Sequence, residues 1–515
     1  MGQKAFKHQQ GSIVVHNLRF DGGVNYAQAP ANIADNELTA AYNYIYDAQS
    51  GTPEIRPGTT CQTAAVCDST NAILKIYYYE KDTTYHWLVG VCNGNLYYLS
   101  GTGLDAWTKI GALNDITTVP TFVTYHSKLL IADGGTNIKT WDGTTYSALA
   151  DGLGATVISV IKGRVVVNSS ASGSADLVTM SGAEDETEWD TAAATNPAVG
   201  LRVGYGDNMV VNAFSVFGDD LIVSKKGGTE KRLYRINVEN ATITNWYVQL
   251  VTDNNASQSA HTIVSAFNNV FFMDKYGFKS LSGVTEYGDL QVDSVGAKIN
   301  SMFSSAPTCY EVTYLPYFNA IWCLMSDHIY AYHRILNPAN EIAHAFTEIG
   351  FQQGIIRSIC QAGSAIYMAG GNGYLYAIDL SSTYATDETA PDTTSSYMST
   401  LQTKRFAYFS GAVLRKTELY LDPLIAGTAY LYAMTQVDDY ISLKAITLRS
   451  KGELLNDATG YLHDAQGFLH DTAMTSWFET CRNRVRGGTL QFKLTCASGR
   501  VAVEGLKAEV ALVEG

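Results

Sequence analysis

At 515 residues the chain exceeds one ordinary hydrophobic core and calls for several domains or one large repeat fold. Apolar residues at 46% against charged residues at 16% exclude intrinsic disorder and leave a surface that is polar but mostly uncharged. A formal charge of -14, from 35 basic and 49 acidic side chains, argues against a protein that grips duplex nucleic acid. With 33 Tyr against 18 Phe and 7 Trp, the aromatic set favours half-buried strands or large contact surfaces.

The chain opens on a polar segment, Met1 to Gln10, with no signal-peptide pattern. No apolar run is long enough to cross a bilayer, so no stable membrane anchor is expected. Lys4, Lys7 and Arg19 precede the first acid, Asp21, and make a small basic arm. Residues 1–60 are read as this arm plus a candidate ring-closing strand, either Ser12 to Asn17 or Glu54 to Arg56. The cysteines, Cys61, Cys67, Cys92, Cys309, Cys323, Cys360, Cys481 and Cys496, include no Cys-x-x-Cys pair, which predicts reduced, half-buried thiols.

Residues 61–380 are read as one repeat domain, and between residues 73 and 380 a unit recurs: an apolar strand, a turn, a second apolar strand, a turn, then a Tyr- or Trp-bearing strand. The second strands are predicted at Trp87 to Cys92, Lys128 to Ala132, Arg164 to Asn168, Leu221 to Ser224, Val270 to Met273, Ile321 to Met325 and Ala365 to Ala369. Their spacing is close to the roughly 40–50-residue period of a propeller blade. Gly and Asn between second and third strands suit tight hairpins, which need positive φ. Fourth strands are predicted at Trp107 to Ile110, Trp246 to Val251 and Phe346 to Ile349. The reading is a β-propeller of about seven blades, with a stacked solenoid or paired sandwiches as competing architectures.

Residues 381–398, beginning SSTYATDETAPDTTSS, offer little to bury and read as a polar linker. Residues 399–515 alternate apolar and polar residues in several runs and are predicted to form a C-terminal β-sandwich with a long loop near 450–476. That loop contains a duplication, Gly460-Tyr-Leu-His-Asp and Gly467-Phe-Leu-His-Asp.

Catalytic and ligand signatures are sparse. His463-Asp464 and His470-Asp471 are the most metal-like cluster, but their spacing matches no ligand pattern, and a duplicated hairpin packing Tyr461, Leu462, Phe468 and Leu469 explains them better. The acidic run from Glu184 to Asp190 reads as a solvated loop rather than a calcium site or a hydrolytic carboxylate pair. Gly-Gly pairs at 134–135, 227–228 and 370–371 read as turns, because none fits a phosphate loop. No nucleophile elbow, sialidase-type Asp box or His-centred triad is present. The sequence therefore predicts no catalytic residue, cofactor or metal, and the chain is expected not to be an enzyme.

Three segments resemble the tail nozzle, or hub, proteins of short-tailed bacteriophages. The first runs from Leu18-Arg-Phe-Asp-Gly-Gly-Val-Asn25 through Ala29-Pro-Ala-Asn-Ile-Ala-Asp-Asn-Glu-Leu-Thr39 and Tyr42-Asn43 to Arg56-Pro-Gly58. The second is Met180-Ser-Gly-Ala-Glu-Asp-Glu-Thr-Glu-Trp189 with Phe217-Gly-Asp-Asp-Leu-Ile-Val223 and Tyr234-Arg-Ile236. The third is Arg486-Gly-Gly-x-Leu-Gln-Phe-Lys-Leu494 with Gly499-Arg-Val-Ala-Val-Glu-Gly505. The resemblance implies a structural virion protein made in the host cytoplasm and placed in the tail. Its neighbours would be adaptor and portal-side proteins and tail fibres or spikes. It would form a homo-oligomeric ring, a hexamer in that family, through which DNA passes without specific binding.

On that basis Lys4, Lys7 and Arg19 are candidates for adaptor contact. Tyr461, Leu462, His463, Asp464, Phe468, Leu469, His470 and Asp471 are candidates for an inter-subunit or gating loop. The alternative reading is an extracellular propeller that binds or hydrolyses carbohydrate.

Overall fold

The computed structural model describes residues 12–69, 71–100, 103–114, 119–149, 153–171, 173–283, 290–305, 308–336, 342–380, 385–436, 439–448, 455–456, 462–463, 477–482 and 484–513. These residues are almost wholly strand and turn, with four single 3-10 segments among them.

Five four-stranded antiparallel sheets follow one another along the chain, spanning residues 73–112, 121–148, 158–202, 210–252 and 263–293. A sixth separate sheet is built on Ile356–Ala362, Ala365–Gly370 and Leu375–Ile378. The predicted second strands match within a few residues, Lys128–Ala132 and Arg164–Asn168 without any shift. Each is almost fully buried, because it lies inside its sheet and is covered on both faces by neighbouring blades. Turns such as Asn93-Gly94, at φ 47° and 69°, supply the left-handed backbone that two-residue hairpins require.

The expectation of about seven blades is corrected. The meander at Cys309–Leu315, Ala320–Met325, Ile329–Leu336 and Ile342–Ile349 is not a separate sheet but one end of a thirteen-stranded sheet that continues into the C-terminal region. Six free-standing blades and this fused meander thus share the ring. Neighbouring first strands adjoin in order, and Ile356–Ala362 returns to Ile73–Glu80.

Closure uses a strand other than either predicted. Thr59–Cys61 pairs antiparallel with Leu375–Ile378, so an N-terminal strand completes the last sheet. Ile13–Leu18 instead lies along the end of the chain, from Ile13 opposite Ala511 to Leu18 opposite Leu506, while Glu54 lies opposite Ala502.

Nor is the stretch after residue 380 merely a linker. Thr386–Ala390 and Thr393–Ser396 form a hairpin on Thr59–Cys61, and Asp387 is fully buried. The C-terminal region curls as part of one large sheet dominated by Phe406–Gln436 and Val485–Leu512. Its residue pairs run in opposite directions, from Lys416 opposite Glu509 to Met434 opposite Gln491. Its core, which includes Leu414, Leu431, Phe492 and Val503, also takes Leu18, Phe20, Val24 and Leu38 from the N-terminal segment.

Between blades the core is aromatic. Trp87, on the second strand of the first blade, meets Trp141 of the second with ring centroids 5.3 Å apart. Gly143 follows at φ 96°, where an added Cβ would sit 2.4 Å from Trp87.

Candidate functional site

Four innermost strands of the ring share an irregularity near their beginnings. Their pairing skips a residue between Ile73 and Lys75, Val211 and Ala213, Cys309 and Glu311, and Ile356 and Ser358. Such bulges twist the strand and re-aim its side chains. Two of the skipped residues meet across neighbouring strands: the Arg357 guanidinium lies 5.0 Å from the Tyr310 ring centroid. The strands are also linked directly, Ile76 N–H donating to Ser358 Oγ at 3.2 Å and Val312 N–H to the His261 carbonyl at 2.9 Å.

On the three of these strands that begin at Ile73, Cys309 and Ile356 lies a cavity of about 400 Å³, bordered among others by Lys75, Tyr77, Glu311, Tyr314, Cys360 and Gln361. It sits where the first strands of the fused meander, the last sheet and the first blade converge. Lys75 Nζ is 2.8 Å from Glu311 Oε1, and both side chains are largely buried, at 14% and 7% exposure. Glu311 Oε2 is buried without a hydrogen-bond partner.

Burial pushes the Cys360 thiol up to about 12, although Lys75 pulls the other way, so the group stays a protonated thiol at neutral pH. Burial, with Lys75 adding to it, lowers His261 to about 3. The neutral ring places Nε2 3.2 Å from the Val119 carbonyl, a geometry that suits the Nε2–H tautomer as donor. The arrangement is a largely buried, charge-compensated ion pair at the edge of a polar pocket.

In the acidic run Glu184 and Asp190 are exposed, as a solvated loop would have them, while Glu186 is buried and held by its neighbours. His126 bridges Glu184 Oε2 and Glu186 Oε2, each at 3.1 Å, and Lys128 Nζ reaches Glu186 Oε1 at 2.7 Å. His126, Ser127 and Glu184 all have positive φ, of 43°, 57° and 55°, so the turns that carry these groups are themselves tightly defined.

Of the residues singled out for tail contacts, Lys4, Lys7, Tyr461, Asp464, Phe468, Leu469, His470 and Asp471 lie outside the described residues. Leu462 and His463 form a two-residue strand opposite Leu455–Asn456, and Arg19 is exposed. The axial group was missed. Its signal was a charge set among apolar and aromatic neighbours inside a strand, Lys75 in ILKIYYYE and Glu311 in CYEVTYL, since such a charge must find a partner when its strand is packed on both faces.

No family model and no curated protein matches the sequence. Among solved structures the chain is similar to virginiamycin B lyase from Staphylococcus aureus, at 11% identity and TM-score 0.42, over 62% of this chain and 98% of that one. It is also similar to BamB from Moraxella catarrhalis, at 11% identity and TM-score 0.36, over 65% and 92% of the two chains. The computationally designed Ika8 protein matches at 14% identity and TM-score 0.36, over 62% and 99%. The expectation that the chain is not an enzyme is withdrawn, because a lyase stands among the structures it is similar to. At these identities and scores no activity is transferred.

Proposed function

We propose that the chain is a structural subunit of a short-tailed phage virion, assembling as a homo-oligomeric ring or nozzle in the tail through which the genome leaves. The observation that carries this reading is the way the N-terminal segment stitches the two halves of the chain together. Leu38–Tyr42 pairs with Ser399–Thr403 on one side and touches Glu348 of the fused meander on the other. Pro53–Ile55 meets the last long strand, and Thr59–Cys61 completes the last sheet of the ring. A subunit that must hold a passage open against a moving polymer needs its parts joined without a free hinge, and backbone pairing across domains supplies that.

In this reading the meander from Cys309 to Ile349 serves as the seventh blade, and the C-terminal sheet curls over its own core in the manner of a sandwich. Contact material for neighbours is present. Phe409 is fully exposed, and Met398, Tyr430 and Tyr440 are exposed as well, a composition suited to interface cores. Ring closure through heterologous contacts would use such surfaces. The net charge of -14 supports a passage that repels phosphate rather than grips it. Adaptor and portal-side proteins, and fibres or spikes, are the proposed neighbours.

Negative-stain microscopy and mass photometry of the purified full chain test the assembly. Rings of several copies are expected, with masses at integral multiples of one chain. Single chains at every concentration, or a ring with a basic lumen, would overturn the reading.

A further inference from the structure

We propose that Lys279 and Asn255 become joined by an intramolecular isopeptide bond, formed by the chain itself with Asp274 as the proton relay. This inference goes beyond the assembly proposed above and does not depend on it. Asn255 lies in the connection between the fourth sheet, which ends at Thr252, and the fifth, which begins at Ile263. Asp274 ends the second strand of the fifth sheet, and Lys279 sits in the third, Gly277–Gly283. Lys279 Nζ donates to Asn255 Oδ1, which holds the amine beside the amide carbon. Asn255 Nδ2 donates to Thr252 Oγ1 at 3.2 Å, so both ends of the amide are held and its carbonyl faces the lysine.

Asp274 completes the group. Its side chain is fully buried, with Oδ1 taken by Lys231 Nζ of the fourth sheet at 2.5 Å. Oδ2 lies 3.7 Å from Lys279 Nζ and has no hydrogen bond of its own. Two ammonium groups, each only 16% exposed, thus converge on one carboxylate. One positive charge is left over, and like charges this close disfavour each other. When Lys279 releases a proton to solvent, Lys231 and Asp274 remain as a neutral ion pair, and Lys279 becomes an amine with a free electron pair. Lys279 is the one to do so, because its contact with the carboxylate is the longer and its nitrogen is the one at the amide.

The step balances without a co-reactant. The Nζ electron pair attacks Cγ of Asn255, and the carbonyl π pair moves onto Oδ1. Both nitrogens then hang on one carbon, so the adjacent Asp274 Oδ2 takes a proton from Nζ and passes it to Nδ2. The Cγ–Nδ2 bond breaks, the carbonyl re-forms and ammonia leaves, with an Nζ–Cγ amide in its place. Well-oriented intramolecular partners reach effective concentrations of about 10⁵–10⁸ M, and a positioned acid–base group adds about 10²–10⁴-fold. Low exposure of the amine and the relay limits the water that competes with them.

Mass spectrometry of the purified full chain, intact and after trypsin, tests the proposal. The peptides that carry Asn255 and Lys279 are expected as one linked species, lighter than their sum by one ammonia, with fragment ions that place the bridge between these two residues. Trypsin should leave the bond after Lys279 uncut. Lys279→Arg and Asn255→Ala should each abolish the linked species, and Asp274→Asn should do so as well. If Asp274→Asn fails to fold, Lys279→Arg, at a partly exposed position, carries the test by itself. A cyclic imide at Asn255 also loses ammonia, but it leaves Lys279 open to trypsin and persists in Lys279→Arg, and that result would overturn the proposal. So would an unaltered chain in which Lys279 is cut and no linked species forms. A folded Asp274→Asn chain that still carries the bridge would overturn the relay.

Discussion

Arg56 and Asp387 face each other in a fully buried, two-point ion pair, with Nη2 2.6 Å from Oδ2 and Nη1 2.9 Å from Oδ1. The guanidinium is sandwiched between Phe351 and Tyr397, 4.3 Å and 3.8 Å from the ring centroids. It also donates to Asn43 Oδ1 and to the carbonyls of Pro57 and Gly350. On the other side the carboxylate accepts from Thr59 Oγ1 and from the Gln352 backbone. The pair thus joins the segment before the ring-closing strand to the hairpin that extends the last sheet.

Removing one partner of such a pair strands a buried charge, which costs about 3–5 kcal/mol. Asp387→Ala is expected to lose that much in urea unfolding. Arg56→Leu combined with Asp387→Leu should lose clearly less than the two single changes added together, because neither charge is then left alone. Strict additivity would show that the ion pair is not what holds this junction.

Gly23 explains part of the Gly-Gly-Val-Asn segment. Its φ is 65°, and a Cβ there would lie 2.4 Å from the Phe346 nitrogen, while the next residue, Val24, donates its N–H to the Phe346 carbonyl at 2.9 Å. Gly23→Ala is therefore expected to destabilise by about 1–3 kcal/mol through strain and lost contact with the fused meander. Gly488→Ala, where an added Cβ meets nothing within 4 Å, should change stability by less than about 0.5 kcal/mol. Equal effects at the two positions would contradict this.

The clamp on the acidic run should depend on pH in both directions. Hydrogen bonds that His126 donates to Glu184 and Glu186 raise it above its ordinary value, so its contribution is complete below about 6.5 and is lost as pH rises through the raised value. Burial pushes Glu186 up, but hydrogen bonds from Lys128 and His126 outweigh it and hold the carboxyl below its usual range. That contribution is complete above about 4.3 and is lost as pH falls through the lowered value. Hydrogen exchange across residues 182–190, corrected for the intrinsic rate, should be slowest between about pH 4.3 and 6.5. His126→Gln should remove the acceleration on the alkaline side, and a flat profile in the unaltered chain would exclude the clamp.

The repeat was legible because each second strand is buried on both faces and so reads as a continuous apolar run, as in LLIA at 129–132 and VVV at 165–167. What stayed hidden depends on partners far apart in sequence. Asp387 sits in a stretch of Ser, Thr and acids whose local composition says linker, and the groups that compensate its burial, Arg56 and Thr59, lie 331 and 328 residues away. Thr59–Cys61 is three residues long, too short for any periodic signal, yet it closes the last sheet. The axial pocket was hidden for the same reason, since Lys75 and Glu311 belong to different blades and meet only when the ring closes.

Acid should weaken the fold through two histidines that remain neutral inside it. Burial lowers His333 to about 3, and its Nε2 lies 3.1 Å from Thr347 Oγ1 while Nδ1 is buried without a partner. Burial lowers His261 to about 3 as well. In the unfolded chain both rings take up a proton near pH 6.5. Between about pH 6.5 and 3 the unfolded state therefore binds more protons, and stability falls as the pH drops through that window. Each ring contributes at most about 1.36 kcal/mol per pH unit. His333, which is 1% exposed, should approach that limit more closely than the half-buried His261. Urea unfolding at a series of pH values from 7 to about 4.5 should show this slope, and His333→Gln should flatten it by close to one proton's worth. If that variant keeps the full slope, the ring already carries its proton in the folded state, and the carboxylates alone account for the acid sensitivity.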